Sequence, residues 1–246
     1  MTAPFLKEEK QFLSSIVADY DEFKFDKLMR TYMMRTFDPY FPKAGKALQL
    51  GCGHGDQTTE IYQYYKDITV VDAAPQFLER VKALALPNVK VVESLFEEYE
   101  TQEKFHMIMI SHVLEHLIDP VAVLKRVKEF LAPGGKIFVV VPNGAAPSRQ
   151  IAVQMGVLSH MADLSQADIK HGHRRVYFLD TLEKDVRLAG LTIEQRGGVF
   201  FKPLANFQLE ELMGGPLLSQ EFMEGCYRLG FHYPTLCASI YTIASF

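Results

Sequence analysis

Residues 50–56 read Leu50-Gly51-Cys52-Gly53-His54-Gly55-Asp56, between a short apolar run at 47–50 and a helix-like stretch at 58–64. Three glycines at alternate positions let the backbone turn sharply and let a ligand lie directly against main chain. The loop runs into a helix N-terminus, whose free N–H groups favour electron-rich ligand atoms. Alone, a glycine-rich loop says little. Between a strand and a helix it has the context that a binding turn requires.

Outward from this loop, apolar runs recur at 68–71, 89–92, 107–110 and 137–141, rich in Val and Ile and largely without polar alternation. Such runs mark strands buried on both faces. Pro75 opens a helix carrying Phe77, Leu78, Val81 and Leu84 on one side, and Pro120 opens another with Val121, Leu124, Val127 and Leu131 inward. This alternation predicts right-handed βαβ units and a mostly parallel sheet, an α/β fold. Residues 5–37 carry a helical rhythm and predict two helices that end before Pro39 and Pro42. We therefore expect an N-terminal helical cap over 1–43 and one domain over 44–246, with insertions at about 144–175 and 203–234. Asp180 and Glu183 suggest a capping box for a helix ending at Gly190. Strands are expected around 191–195 and 239–245, bringing the total to seven, and 206–230 is expected to be a polar helical stretch.

The 246 residues carry a net charge of −4, which argues against a basic nucleic-acid-binding surface. Three scattered cysteines form neither a disulfide framework nor a CxxC pair. The charged N-terminus does not read as a signal peptide, and no apolar run reaches the ~20 residues of a membrane span. A cytoplasmic protein, monomeric or homodimeric, without membrane or nucleic-acid partners is expected.

The second strand ends in Val70-Val71-Asp72. An acid at that tip can accept both hydroxyls of a ribose; its alternative role is to cap the helix that begins at Pro75. Dinucleotide enzymes favour G-x-G-x-x-G. Here Gly55 comes one place too early and Asp56 occupies the sixth position, where an acid would face a pyrophosphate. The loop suits a ligand without phosphates.

Four segments in this order carry a resemblance: residues 48–56, Val71-Asp72, Ser111-His112-Val113-Leu114-Glu115-His116, and Leu131-Ala132-Pro133-Gly134-Gly135. Together they resemble the class I S-adenosylmethionine-dependent methyltransferases, nearest the small-molecule branch of ubiquinone-type O-methyltransferases and sugar N-methyltransferases. The resemblance covers about 44–143 well and 176–200 loosely. It implies a Rossmann-like sheet of order 3-2-1-4-5-7-6 with the seventh strand antiparallel, and helices over the active site. It implies that Gly51, Cys52, Gly53 and Gly55 line the methionine and ribose portions of the cofactor, with Asp72 and Ala73 at the ribose. By the same resemblance Ser94, Leu95 and Phe96 would flank adenine, and Ser111 and His112 would lie near the sulfonium. Three positions depart from the pattern. Gln49 stands where relatives carry an acid, and it remains a cofactor-binding candidate. Leu95 stands where many place an Asp. His106 replaces an Asp before the fourth strand, a change expected to be structural. In related enzymes N-terminal helices close over the cofactor. Tyr20, Arg30, Tyr32 and Arg35 are available there, and Tyr32 and Arg35 share a helix face.

Methyl transfer from a sulfonium is an in-line displacement that gains most from holding the reacting atoms collinear at about 3–3.5 Å. A hydroxyl acceptor also needs a base, and histidine suits neutral pH. Of the eight histidines, His112 is one candidate base and His173, in the run His171-Gly172-His173-Arg174-Arg175-Val176-Tyr177, is the other. That run can bind an anionic or sugar-like acceptor through His171, Arg174, Arg175 and Tyr177, with Asn143 after the fifth strand. Solvated surface charge is the plain alternative for these groups. His171 and His173 lack convincingly spaced partners in Asp163 or Asp168, so no metal is expected. Oxygen is favoured over nitrogen as the methylated atom. A cofactor-binding scaffold without catalysis and an NAD-linked oxidoreductase stand as alternatives, the latter disfavoured by the glycine spacing.

Overall fold

The computed structural model describes Glu9, Phe12, Leu13, Ser15, Val17 and residues 24–246 apart from Pro216. The first of the two expected N-terminal helices, with Tyr20, falls largely outside the described residues. The second is α1 (Lys24–Phe37), which stops before Pro39 as expected.

Seven strands form one sheet: β1 (Ala47–Leu50), β2 (Ile68–Asp72), β3 (Val89–Glu93), β4 (Phe105–Ser111), β5 (Leu131–Pro142), β6 (Thr192–Phe201) and β7 (Cys237–Ser245). Their spatial order is β3-β2-β1-β4-β5-β7-β6. β1 to β5 pair in parallel, and β7 runs antiparallel to both its neighbours. Side chains alternate across this sheet. Ala47, Val70, Met107, Met109, Phe138 and Val140 enter one core. Leu48, Leu50, Val71, Ile108, Ile110, Ile137 and Val139 enter the other. The absence of polar alternation in the strands thus has a physical cause, since both faces are covered.

Helices α2 (Asp56–Tyr64) and α3 (Pro75–Ala83) join α1 on the first face, supplying Ile61, Phe77, Leu78 and Val81. The other face is covered by α4 (Pro120–Lys128) and by α7 (Leu179–Leu188), through Leu124, Val127, Leu182 and Val186. The 144–175 segment holds two short helices, α5 (Pro147–Gln154) and α6 (Gln166–Lys170). After β6 the expected single helical stretch is two helices, α8 (Asn206–Leu212) and α9 (Gln220–His232), separated at Gly214, whose φ is +85°. Strand order reverses between β1 and β4, which opens a crevice beyond their carboxyl ends.

Two expectations are corrected. The α7 cap is not Asp180 with Glu183. Thr181 Oγ1 accepts from the Phe178 N–H at 2.9 Å and donates to the Phe178 carbonyl, while Glu183 pairs with Arg196 on β6. β6 also runs on to Phe201 instead of ending near 195. Gly197 and Gly198 conceal the strand in the sequence, yet they are needed there. A Cβ at Gly197 would come within 2.8–2.9 Å of the Tyr241 ring, and one at Gly198 within 2.1 Å of the Pro234 carbonyl.

Candidate active site

The glycine loop holds Gly51, Gly53 and Gly55 at φ of +79°, +48° and +91°. At Gly51 a side chain is excluded twice over, by this conformation and by Val113 Cγ2, 2.6 Å from where a Cβ would sit. At Gly53 the Cβ direction is open, with Arg30 Nη2 the nearest atom at 3.9 Å. Main chain is therefore bare on the crevice side. Asp72 ties this loop to β2. Its Oδ2 accepts the Cys52 N–H at 2.9 Å and its Oδ1 accepts the Ala74 N–H at 2.9 Å. Burial pushes this carboxyl above the ordinary range, opposed by those hydrogen bonds. The α3 N-cap is Ala74 without a side-chain cap, so Asp72 braces the turn before that helix while lying on the crevice wall.

The crevice is a concave pocket, partly open to solvent. Its wall includes Gly51, Cys52, Gly53, Asp72, Ala73, Phe96, Ser111 and His112, all anticipated from sequence. It also includes Arg30, Ala74, Phe77, Val113, His116 and His171. Bare main chain, a carboxylate, two aromatic rings and a guanidinium across from Gly53 fit S-adenosylmethionine, the cofactor that the resemblance implies. Gly55 caps α2 behind the loop, and Asp56 opens that helix and pairs with Lys27 of α1 at 3.3 Å.

Other anticipated cofactor residues lie elsewhere. Gln49 is fully buried beneath the loop, accepting from Thr58 Oγ1 at 2.8 Å and donating to the Gly51 carbonyl at 3.0 Å. Its amide replaces an acid because it must both donate and accept. Ser94 bonds the Leu95 carbonyl, and Leu95 is buried, so of that trio only Phe96 reaches the crevice wall. Tyr32 stacks on Tyr227 with ring centroids 4.6 Å apart. Arg35 lies 4.5 Å over the same ring and grips Glu224 at 2.8 and 3.1 Å. The face they share meets α9, and Arg30 reaches the crevice instead. Tyr32 belongs to the stripe of Phe25, Met29, Met33 and Phe37, a signal already present in the helical spacing.

At the acceptor end, His112 directly follows β4 with φ +53°, a left-handed conformation uncommon outside glycine. Its Nε2 lies 3.0 Å from Ser239 Oγ. Burial, then the charge of Arg30, holds its pKa down to about 3. His116 is likewise drawn down to about 3, by burial and then by His173. His173 does not line the crevice. It stands behind His116, ring centroids 4.8 Å apart, with Nδ1 3.3 Å from Asp168 Oδ1. Burial opposes its protonation, but the hydrogen bond to Asp168 and the charge of Glu115 raise its pKa above the ordinary value. Asp168 also accepts from Arg149 at 3.0 Å and from the Ser165 N–H and Oγ at 2.8 and 2.7 Å. These bonds outweigh burial and hold its carboxyl well below the ordinary range.

The remaining acceptor candidates all have partners within the fold. Arg174 Nε donates to the His116 carbonyl at 2.8 Å, and its Nη2 reaches Glu9. Arg175 donates to the carbonyls of Leu114, Leu117 and Ile118. The Tyr177 hydroxyl donates to Asp185 at 2.9 Å. The Asn143 amide donates to the Thr235 and Cys237 carbonyls. Each satisfies backbone or side-chain groups that folding brings to it. His106 is structural as expected, its Nδ1 3.4 Å from the Lys46 N–H.

A family model described as "Methyltransferase domain" matches residues 20–196. The chain belongs to the methyltransferase-domain family. It is a methyltransferase, which sets aside the oxidoreductase alternative. A ubiquinone biosynthesis O-methyltransferase of Xanthomonas axonopodis pv. citri is 27% identical over 174 residues, 67% of this chain and 70% of that protein. A trans-aconitate 2-methyltransferase of Deinococcus radiodurans is 31% identical over 128 residues, 50% of this chain and 47% of that protein. The crystal structure of the N-methyltransferase NodS from Bradyrhizobium japonicum WM9 with S-adenosyl-L-homocysteine superposes with a TM-score of 0.58. That pair shares 15% identity, covering 96% of this chain and 97% of the other. This likeness shows the same fold. Among the described residues no helix is long and apolar enough to cross a membrane.

Proposed function

We propose that this methyltransferase carries a methyl group from S-adenosylmethionine to an oxygen of a small, polar, anionic acceptor. The observation that carries this is one continuous crevice whose wall joins the bare glycine loop and Asp72 to His112, His116 and His171. When bound, the cofactor supplies a methyl group on a sulfonium. Gly53 and Asp72 would hold it at one end, with Phe77 and Phe96 beside it. Arg30 on the crevice wall supplies positive charge that supports an anionic acceptor. The relatives named for ubiquinone biosynthesis and trans-aconitate point the same way, toward small molecules.

His112 is the proton acceptor in this reading. It is neutral across the physiological range because of burial, and it sits beside Ser111 at the strand tip. His173 acts through His116 and is a positioning residue. Incubating the chain with methyl-labelled cofactor and a panel of phenols, hydroxy acids, carboxylic acids and amino compounds tests the proposal. Label should appear on an oxygen of an anionic compound, and His112→Asn should lower kcat at least tenfold while leaving affinity for S-adenosylhomocysteine within twofold. Label on nitrogen alone, or an undiminished kcat in the variant, overturns it.

A further inference from the structure

Glu115 is 1% exposed, and neither of its carboxylate oxygens has a hydrogen-bond partner. Buried carboxylates are rarely left this way. The neighbouring guanidinium of Arg175 does not relieve it, because its donors go to the Leu114, Leu117 and Ile118 carbonyls. Two imidazoles close the space around Glu115: His116 Nε2 is 3.9 Å from Oε1, and one ligating atom from each of Glu115, His116 and His173 lies within 4.8 Å of the others. We propose that Glu115, His116 and His173 bind a divalent transition-metal ion, with two nitrogens and one carboxylate as ligands.

Donors bound at about 2.1 Å in a tetrahedral arrangement sit about 3.4 Å apart, so small side-chain rotations close the set. Two features prepare it. The Asp168 carboxylate lies 3.3 Å from His173 Nδ1, which leaves Nε2 for the ion and fixes the ring, the usual carboxylate–histidine–metal arrangement. Asp168 is itself anchored by Arg149 and Ser165. The two segments that carry the ligands are also stitched together, the Arg174 N–H donating to the Glu115 carbonyl at 2.8 Å and Arg174 Nε to that of His116. Three protein ligands leave a coordination position open, as in metal sites that engage a substrate or water. His116 lines the crevice, so an acceptor oxygen or water is the natural fourth ligand. Only this last step rests on the proposed function. The sequence spacing offered no convincing partners for His171 and His173 and no metal was expected; the proposed ion takes Glu115 and His116 with His173, and Asp168 lies behind it.

Metal binding can be read without methyl transfer. The full chain, stripped with a chelator, is titrated with Co²⁺ and followed by visible absorption. Saturation at one equivalent with ligand-field bands, displaced by Zn²⁺, is the expected result. Glu115→Gln and His173→Ala should each weaken Co²⁺ at least tenfold, and Asp168→Asn about tenfold. S-adenosylhomocysteine binding by calorimetry should stay within twofold in all of them. Absence of saturable Co²⁺ uptake by the wild type overturns the site, as does uptake of equal affinity in both ligand variants. If Glu115→Gln fails to fold by circular dichroism, His116→Gln takes its place with the same criterion. Co²⁺ uptake without S-adenosylhomocysteine binding would overturn the cofactor assignment and leave the metal site standing; the reverse would remove only the metal site.

Discussion

The two ends of the crevice are built from different material. At the cofactor end, Gly51, Gly53 and Asp72 lie on two adjacent strand tips, and backbone conformation does most of the work. At the acceptor end, His112 and His116 follow β4, His171 and His173 follow α6, and Asp168 lies within α6. Side chains converge there from segments far apart in the chain. A site of main chain and neighbouring tips is written locally, whereas a site of converging side chains depends on how distant segments dock.

Breaking the cofactor end should have the largest effect. Asp72→Ala removes the partner of the buried Cys52 and Ala74 N–H groups. It should cost about 2–4 kcal/mol of stability and weaken S-adenosylhomocysteine at least 100-fold, measured by denaturant titration and calorimetry. His173→Ala should lower turnover about 10- to 100-fold with cofactor affinity nearly intact, so a matching loss of cofactor binding would erase the distinction between the two ends.

Asp168→Asn sharpens the contrast through pH. Its folded-state pKa lies below the unfolded value of about 3.9. The stability it contributes is therefore present above that value and lost as pH falls through the lower, folded one. The variant should be less stable than wild type by about 2 kcal/mol at pH 7, with the gap closing in strong acid, read by denaturant titrations across pH. Smallest is Arg35→Ala, which removes the α1–α9 clasp on Glu224 and Tyr227. About 1 kcal/mol of stability should be lost with no change in cofactor affinity. Arg30→Ala, on the crevice wall, should instead weaken S-adenosylhomocysteine binding, measured by calorimetry.

What local sequence left open about these side chains shares one cause. Tyr32 and Arg35 do share a face, but nothing local tells which face meets α9 and which meets the crevice. Arg174, Arg175, Tyr177 and Asn143 looked like ligand-binding groups because they are polar. They are consumed by carbonyls and a carboxylate that only folding delivers. Buried backbone acceptors must find donors, and long polar side chains near a loop are the nearest supply. Gln49 is engaged in the same way, its amide bonding Thr58 and Gly51.

The strand positions, the glycine loop and the acid at the β2 tip were determined by the sequence alone, because each follows from local conformational freedom or from a periodicity of two or 3.6 residues; the order of the strands was implied by the family resemblance and is set by tertiary pairing. Which imidazole faces the crevice, which stands behind it, and that Glu115 is sealed in without a partner were decided only by the tertiary structure. Burial and convergence are sums over distant contacts, and no short stretch of chain contains them.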